Sequence, residues 1–260
     1  YISYQDTHSF SKLVLDYVND DEFLKSFYSF RPDIDGLKKA VDGRDFKGNR
    51  AELVEVLNQQ YQNVKTNKSV KHNIGLLAEE NTFTVTTGHQ LNLFTGPLYF
   101  IFKIVTTINL AIELKIAYPE KNFVPVYWMA TEDHDFEEIN HVSVEEKNIS
   151  WIQQTNGATG RLSTKTVEAA VMAYKAYLGI SKNGKKLTKI VENAYLNNDN
   201  LADATRVLVN SLFENYGLVI INADDAKLKR QFSSIIKQDI TEQNSAHLTE
   251  ITSQNLEQKG

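Results

Sequence analysis

Residues 123–131 read FVPVYWMAT, a run that is apolar on both alternating sides until it reaches Thr131. A strand with one wet face alternates apolar and polar side chains, whereas a strand covered on both faces is apolar throughout. The run therefore predicts a buried strand of a parallel sheet. Residues 82–86, TFTVT, are rich in β-branched side chains and predict a strand earlier in the chain.

The segment between these two strands predicts a helix. Pro97 stands at its first turn, with Thr95 and Gly96 at the cap, and the apolar periodicity ends before Pro119. Strand, helix and strand make a βαβ unit. A third apolar run, LVIIN at residues 218–222, predicts another buried strand.

Helical periodicity surrounds these strands. Residues 9–79 predict a helical lead-in with Asp33 and Asn49 at N-cap positions, and residues 165–215 return to helical spacing in two or three pieces. Helices around three buried strands predict an α/β fold with a doubly wound, Rossmann-like parallel sheet.

Two further segments complete the pattern. Residues 141–144 and 150–153 predict short strands around a turn at Lys147 and Asn148. Residues 241–260 predict a polar helix whose sparse apolar positions cannot bury a face unless the helix continues or finds a partner. We therefore expect the chain to be part of a longer protein.

Composition narrows the function. A formal charge of -5 argues against a nucleic-acid binder, and the absence of cysteine excludes disulfides, thiolate zinc sites and a cysteine nucleophile. The longest apolar helical segment, residues 98–114, is interrupted by Lys103, Asn109 and Glu113, and no charged leader precedes an apolar stretch. We expect neither membrane spanning nor secretion, and place the protein in the cytoplasm.

Ligands of open parallel sheets bind beyond the carboxyl ends of the strands, where loops and helix N-termini converge. All three predicted strands end in polar residues, so we expect a site at this edge. The three groups are Thr86, Thr87, Gly88, His89 and Gln90; Thr131, Glu132, Asp133, His134 and Asp135; and Asn222, Asp224 and Asp225.

The loop after the first strand contains Gly88 and Gly96, with Pro97 opening the helix. Free backbone N–H groups and a positive helix end suit a phosphate or carboxylate, although an ordinary βα turn has the same residues. The spacing matches neither the Walker P-loop nor the GxGxxG fingerprint. Lys103 is the one charge on the first half of this helix, and we expect it to reach solvent, a carboxylate or an anionic ligand.

Residues 132–135, EDHD, form the densest cluster of titratable groups in the chain. A histidine that titrates near neutral pH beside carboxylates suits general acid–base chemistry. Neighbours in an extended segment point in opposite directions, so we expect only alternate members to converge: Asp133 with Asp135, or Glu132 with His134. With His141 the cluster has the composition of a metal site, but we do not predict a bound metal.

Two stretches resemble the signature sequences of a known family. TTGHQLNLFTGPLYFIFK, residues 86–103, and PVYWMATEDHDFEEINHV, residues 125–142, closely resemble the TGxQ loop, GPLY, EDHD and INHV motifs of BshC proteins, the bacillithiol biosynthesis cysteine-adding enzymes. The resemblance extends over the entire chain and implies the N-terminal half of such a protein. It also implies a core related to the HxGH nucleotidyltransferases, with helical insertions and a long coiled coil.

This resemblance implies an organisation for the chain. Residues 1–160 would form the helical lead-in and first part of the core, and residues 161–215 a helical connecting insertion. Residues 216–239 would add a further core strand and helix, and residues 240–260 would begin the coiled-coil helix. The coiled coil in turn implies a homodimer.

The activity implied is the last step of bacillithiol synthesis, which joins cysteine to glucosaminyl malate by an amide bond. Amide formation needs an activated carboxyl group, so ATP is a chemically reasonable activator. His89 stands where many relatives have Gln, so we assign it hydrogen bonding and prefer Asp133 and His134 for proton transfer. In total, the residue patterns and the resemblance assign substrate binding to Thr87, Gly88, His89, Gln90, Gly96, Pro97 and Lys103, and catalysis to Glu132, Asp133, His134 and Asp135.

Two other functions are compatible with these residues. The core type also suggests a nucleotidyltransferase or adenylating enzyme of the HxGH type, which would bind ATP with magnesium at the Gly88 loop and release pyrophosphate. A non-enzymatic alternative is a coiled-coil interaction module that uses the sheet as a scaffold and dimerises through residues 240–260.

Overall fold

The computed structural model describes residues 2–46, 48–145 and 147–258. The chain divides into two compact units, one made of Tyr1–Lys47 with Ser234–Gly260 and the other of Gly48–Ser233. The helices are α1 (Lys12–Val18), α2 (Ile34–Asp42), α3 (Arg50–Gln60), α4 (Lys68–Leu76), α5 (Leu98–Ala117), α6 (Phe136–Ile139), α7 (Glu168–Leu178), α8 (Lys182–Leu196), α9 (Leu201–Phe213), α10 (Ala226–Gln231), α11 (Ser233–Glu242) and α12 (Asn244–Glu257). The strands are β1 (Thr82–His89), β2 (Asn122–Met129), β3 (His141–Val144), β4 (Lys147–Ser150) and β5 (Val219–Asn222).

The larger unit is built on a parallel sheet with the strand order β1-β2-β5. Strand β2 lies between the other two, and Val124, Tyr127 and Met129 are fully buried in it. Trp128 is the exception to the predicted two-sided burial, because its side chain keeps 40% of its surface exposed. The α/β class with a Rossmann-like parallel sheet, predicted from these apolar runs, is confirmed.

Strand β1 is longer than the sequence predicted. The expected strand ended at Thr86, but each following residue has a parallel partner on β2, as far as Gly88 opposite Trp128 and His89 opposite Met129. Thr87, Gly88 and His89 therefore lie in the strand rather than in a loop. The backbone geometry around Pro97 also differs from the prediction: Pro97 has an extended ψ of 150° and caps α5 from outside its first turn.

The helical segments follow their local signals. Asp33 accepts a hydrogen bond from Gly36 N at 2.7 Å, and Asn49 accepts one from Glu52 N at 3.1 Å, so both predicted N-caps are confirmed. Residues 165–215 contain α7, α8 and α9, which are separated after Leu178 and after Leu196. Within the described ranges, no helix has the length and apolar character needed to cross a membrane.

Two predicted segments need correction. The small antiparallel sheet pairs β3 with Lys147–Ser150 instead of 150–153, because the chain turns at Glu145, whose φ is 47°. This register opposes Val142 and the buried Ile149. The polar helix predicted over 241–260, of which 259 and 260 lie outside the described residues, is interrupted at Gln243, whose φ is 53°, so α11 and α12 are separate helices. The coiled coil stays a prediction.

Candidate active site at the carboxyl edge of the sheet

The ends of the three parallel strands lie side by side. His89 pairs with Met129, and Met129 pairs with Asn222, so the polar residues that follow β1, β2 and β5 share one edge of the sheet. The buried hydroxyl of Tyr127 donates to the carbonyl oxygens of His89 and Gln90 at 3.3 and 3.4 Å. Burial raises the pKa of Tyr127, so the hydroxyl keeps its proton and remains a donor.

Gln90 joins the first strand end to the acidic segment after the second. Its Nε2 donates to Asp133 Oδ2 at 2.9 Å and to Glu138 Oε2 at 2.7 Å. The other oxygen of Asp133 accepts from the Asp135 backbone N–H at 3.1 Å. The hydrogen bond from the Asp135 N–H, followed by that from Gln90, lowers the pKa of Asp133 below its ordinary value. Asp133 is therefore a carboxylate acceptor rather than a proton donor.

The other members of the EDHD segment have different surroundings. Glu132 Oε1 pairs with Lys229 Nζ at 2.6 Å, and Asp135 caps α6 by accepting from Glu138 N at 3.1 Å. His134 is exposed and lines, with Asp135, a cleft of about 350 Å³. Consecutive side chains thus make separate contacts, so the segment does not act as one cluster.

His89 is buried between aromatic rings. It is 8% exposed, and its ring lies 5.2 Å from those of Tyr99 and Phe100. Its Nε2 is buried without a hydrogen-bond partner among the described residues. Burial, and then the nearby Lys103, lower the pKa of His89 to about 4. His89 is therefore neutral at physiological pH and unsuited to proton transfer.

We expect His89→Gln to remove an acid-dependent loss of stability. The native state holds His89 neutral to about pH 4, whereas the unfolded chain protonates it near 6.5, so the free energy of unfolding falls as the pH drops through this window. The loss amounts to about 3 kcal/mol at most. Denaturant unfolding of the full-length protein between pH 7 and 4 measures it, with His247→Gln on the exposed α12 as the control. An unchanged pH slope in His89→Gln would contradict the assignment.

Lys103 reaches solvent, one of the three outcomes expected for it, and a backbone carbonyl rather than a carboxylate accepts its hydrogen bond. The side chain is exposed, and its Nζ donates to the Gly88 carbonyl oxygen at 2.5 Å. Lys103 therefore bridges the start of α5 to the end of β1. A backbone carbonyl satisfies the ammonium group because it lies within reach at the sheet edge and needs no countercharge.

The loop between β1 and α5 has a constrained backbone. Phe94, Thr95 and Gly96 have φ values of 54°, 80° and 59°. The Phe94 N–H donates to the buried Tyr195 hydroxyl at 2.9 Å, and the Phe94 ring stacks on Tyr174 at 4.2 Å. Helices α7 and α8 thus hold this loop in place.

This loop changes the expectation for an anion at the helix start. The Gly96 N–H donates to the Leu93 carbonyl at 3.0 Å, and Pro97 has no N–H. Neither residue can offer a backbone donor to a ligand. At this helix start, the backbone N–H groups without a hydrogen-bond partner among the described residues are those of Leu98 and Tyr99.

A second polar network joins β2, β5 and α10. Thr131 Oγ1 donates to Asn222 Oδ1 at 2.6 Å, and Asp224 N donates to the same oxygen at 3.0 Å. Asp224 accepts two hydrogen bonds from Arg161, at 2.6 and 2.7 Å, and one from Lys229 at 2.5 Å. The hydrogen bond from Arg161 is the largest of the contributions that lower the pKa of Asp224.

The half-buried Gln60 and the buried Arg206 support the end of β5. The Gln60 side chain accepts from Asn222 N at 2.9 Å and donates to Asn222 O at 2.7 Å. Arg206, which is 2% exposed, donates to Gln60 Oε1 at 3.0 Å and to Asp203 at 3.0 Å. In residues 2–46, 48–145 and 147–258, no group of three or more His, Asp or Glu side chains is arranged to hold a metal ion.

Comparison with known proteins decides the family. The sequence profile of the family described as "Bacillithiol biosynthesis BshC, N-terminal Rossmann-like domain" matches residues 1–260. The chain belongs to this BshC family. Family membership, like the Rossmann-like sheet, was predicted from the paired motifs and is confirmed.

Curated BshC relatives match nearly the whole of this chain. Proteins named "Putative cysteine ligase BshC" are 51% identical in Flavobacterium johnsoniae over 260 residues, 52% in Flavobacterium psychrophilum over 248 and 42% in Christiangramia forsetii over 270. These matches cover 99%, 94% and 100% of the chain, but 49%, 47% and 49% of the relatives. The chain therefore spans about half the length of the BshC proteins that it matches.

Several residues of this candidate site were not predicted from the sequence. Glu138 follows the EDHD motif. Asp135 and Glu138 have the three-residue spacing of a helix cap, so a short helix containing Glu138 could have been predicted here. Arg161, Lys229 and Tyr195 carry no local signal. They reach the site through contacts with residues that are distant in sequence: Arg161 with Asp224, Lys229 with Glu132, and Tyr195 with Phe94.

Proposed function

We propose that the protein carrying this chain is a cysteine ligase of bacillithiol biosynthesis, which joins cysteine to glucosaminyl malate by an amide bond. The observation that carries the proposal is the contact between Gln90 and Asp133, which places two family motifs on one edge of the sheet. The names of the relatives support ligation over nucleotidyl transfer.

Amide formation requires an amine to attack an activated carboxyl carbon and then lose a proton. Asp133 is anionic and is held by Gln90, so we assign it to binding and orienting the amine. His134 is exposed in the adjacent cleft, so we assign it to removing the proton. Activation of the carboxyl group requires a leaving group, which ATP would supply.

The neutral His89 has a different proposed role. Its burial beside β2 suits the support of the Gly88–Gln90 backbone, and a glutamine would serve there equally well. Thr87 is half-buried in β1, and we retain it with Gly88 and Lys103 as the wall of the substrate site. Glu132 and Asp135 support neighbouring residues in this proposal, since each already holds a partner.

The proposed location is the cytosol. Cysteine and the product are free thiols, and the glutathione and thioredoxin systems of that compartment keep thiols reduced. A fractionation of cells that express the full-length protein would contradict this proposal if the enzyme appeared outside the cytosol.

The test of the reaction uses the full-length protein. We expect it to restore bacillithiol to a bacterial strain that lacks the cysteine-adding step, as measured by mass spectrometry of labelled thiols. Purified protein given cysteine, glucosaminyl malate and ATP should form the same product. Pyrophosphate release from ATP without any amide product would instead favour an adenylating enzyme.

We also propose that the full-length protein forms a homodimer. Ile240, Leu248 and Ile251 are exposed on α11 and α12 and are available for a helical partner. Sedimentation velocity of the full-length protein tests the proposal, and a dimer that survives deletion of residues 240–258 would show that these helices are not its basis.

A further inference from the structure

Two cations converge on a buried carboxylate at the carboxyl edge of β5. The side chain of Asp224 is 5% exposed and receives Arg161 Nε at 2.6 Å, Arg161 Nη2 at 2.7 Å and Lys229 Nζ at 2.5 Å. The Arg161 side chain is itself 70% exposed. The network is therefore anchored at its buried end and open at the other.

Arg161 is fixed to the end of β2 by its backbone. The two preceding residues pair with the segment that follows β2, because Gly160 N donates to Thr131 O at 2.9 Å and Thr159 N donates to Asp133 O at 2.7 Å. A Cβ atom on Gly160 would lie 2.6 Å from Thr131 Cβ, so only glycine permits this approach. A mobile surface arginine would lack such a scaffold.

The anchored groups retain unused donors. Asp224 occupies Nε and Nη2 of Arg161, and Nη1 has no partner among residues 2–46, 48–145 and 147–258. The second carboxylate on Lys229 is Glu132, which is 53% exposed and can be displaced by a competing anion. A planar guanidinium held in one orientation loses little conformational entropy when it binds a carboxylate or phosphoryl group.

We propose that Arg161 and Lys229 form an oxyanion-binding site that receives a carboxylate of glucosaminyl malate or a phosphoryl group of ATP, with Glu132 as the competing anion. The proposal rests on the proposed function for the identity of these ligands. It assigns Arg161 and Lys229 to the positioning of that ligand.

Charge makes the proposal distinguishable from a structural ion-pair network. Arg161 and Lys229 are balanced by Asp224 and Glu132, so the network is neutral without a ligand. Removing the charge of Arg161 should weaken anion binding, whereas removing that of Glu132 should strengthen it. If the network were purely structural, the Arg161 and Glu132 substitutions would not change the affinity for the anion in opposite directions.

The experiment is calorimetric titration of the full-length protein with glucosaminyl malate and, separately, with ATP, each without cysteine. We expect Arg161→Gln to weaken the binding of one of these ligands by about tenfold or more, and Glu132→Gln to strengthen the same ligand severalfold. Lys227→Gln is the matched control. It also removes one positive charge, and Lys227 lies on α10 with Lys229 but pairs with Glu55 at 2.5 Å. The ligand that responds identifies the source of the anion.

Unchanged affinities for both ligands in Arg161→Gln and Glu132→Gln would overturn the site. If Arg161→Gln fails to fold, the Glu132→Gln result decides, because that variant leaves the Arg161–Asp224 pair intact. Binding is measured without turnover. If the protein makes no bacillithiol but Arg161→Gln weakens and Glu132→Gln strengthens ligand binding, the proposed reaction is wrong and the site stands. If the protein makes bacillithiol but the two variants do not change binding in this way, the site is wrong and the reaction stands.

Discussion

Asp133→Asn in the full-length protein is expected to lower the rate of amide formation by about a hundredfold or more. Asp133 accepts hydrogen bonds through both oxygens, one from Gln90 Nε2 and one from the Asp135 N–H. Asparagine can replace only one of these acceptors, and its NH₂ group would oppose the Gln90 donor. The variant also loses the negative charge that we assign to holding the amine.

The measurement is the initial rate of product formation at saturating cysteine, with Asp33→Asn as the control. Asp33 also accepts a backbone N–H, from Gly36 at 2.7 Å, and asparagine is an equally good N-cap. We expect the control to keep the wild-type rate. A rate within about threefold of wild type in Asp133→Asn would remove this carboxylate from the mechanism.

The low pKa of Asp133 adds a prediction about pH. The pKa of Asp133 is lower than that of an ordinary Asp carboxyl group, so the group is ionised near neutral pH. Its protonation therefore does not produce a loss of rate in that range. Any such loss belongs to another group. We expect His134→Gln, which removes the side chain assigned to accepting the amine proton, to abolish most of the activity, as measured by the initial rate of product formation.

Gly96→Ala is expected to lower the free energy of unfolding by about 3 kcal/mol or more. Gly96 has φ 59° and ψ -134°, a conformation that side chains disfavour, and an added Cβ would lie 2.5 Å from Asn92 Cβ. The strain and the clash add because they arise from different atoms. Relief would require the β1–α5 loop to move, together with Phe94 and its contact to Tyr195.

Gly179→Ala separates these two contributions. Gly179 has φ 66° and ψ -171°, but no atom lies within 4 Å of an added Cβ. The control should therefore show the backbone strain of about 1–3 kcal/mol without the clash. Parallel thermal unfolding of both full-length variants compares them. Equal shifts of the midpoint would show that the loop tolerates the added methyl group.

The sequence alone determined the class of the fold and the edge of the sheet at which the polar residues gather. The runs FVPVYWMAT and LVIIN are apolar on both faces, and only a strand covered by helices on both sides satisfies that pattern. Because carboxyl ends of parallel strands meet at one edge, it followed that the residues after β1, β2 and β5 would be neighbours, as the strand register confirms. The family followed from two long motifs.

Tertiary structure alone decided which of these side chains work together. His89 is packed against Tyr99 and Phe100, and its burial lowers its pKa to about 4, which its position in the sequence did not indicate. Arg161 and Lys229 reach Asp224 from positions 63 residues before it and 5 residues after it. Hydrophobic periodicity reports which face of an element is buried, but polar partners depend on long-range packing, and a single sequence contains no local record of it.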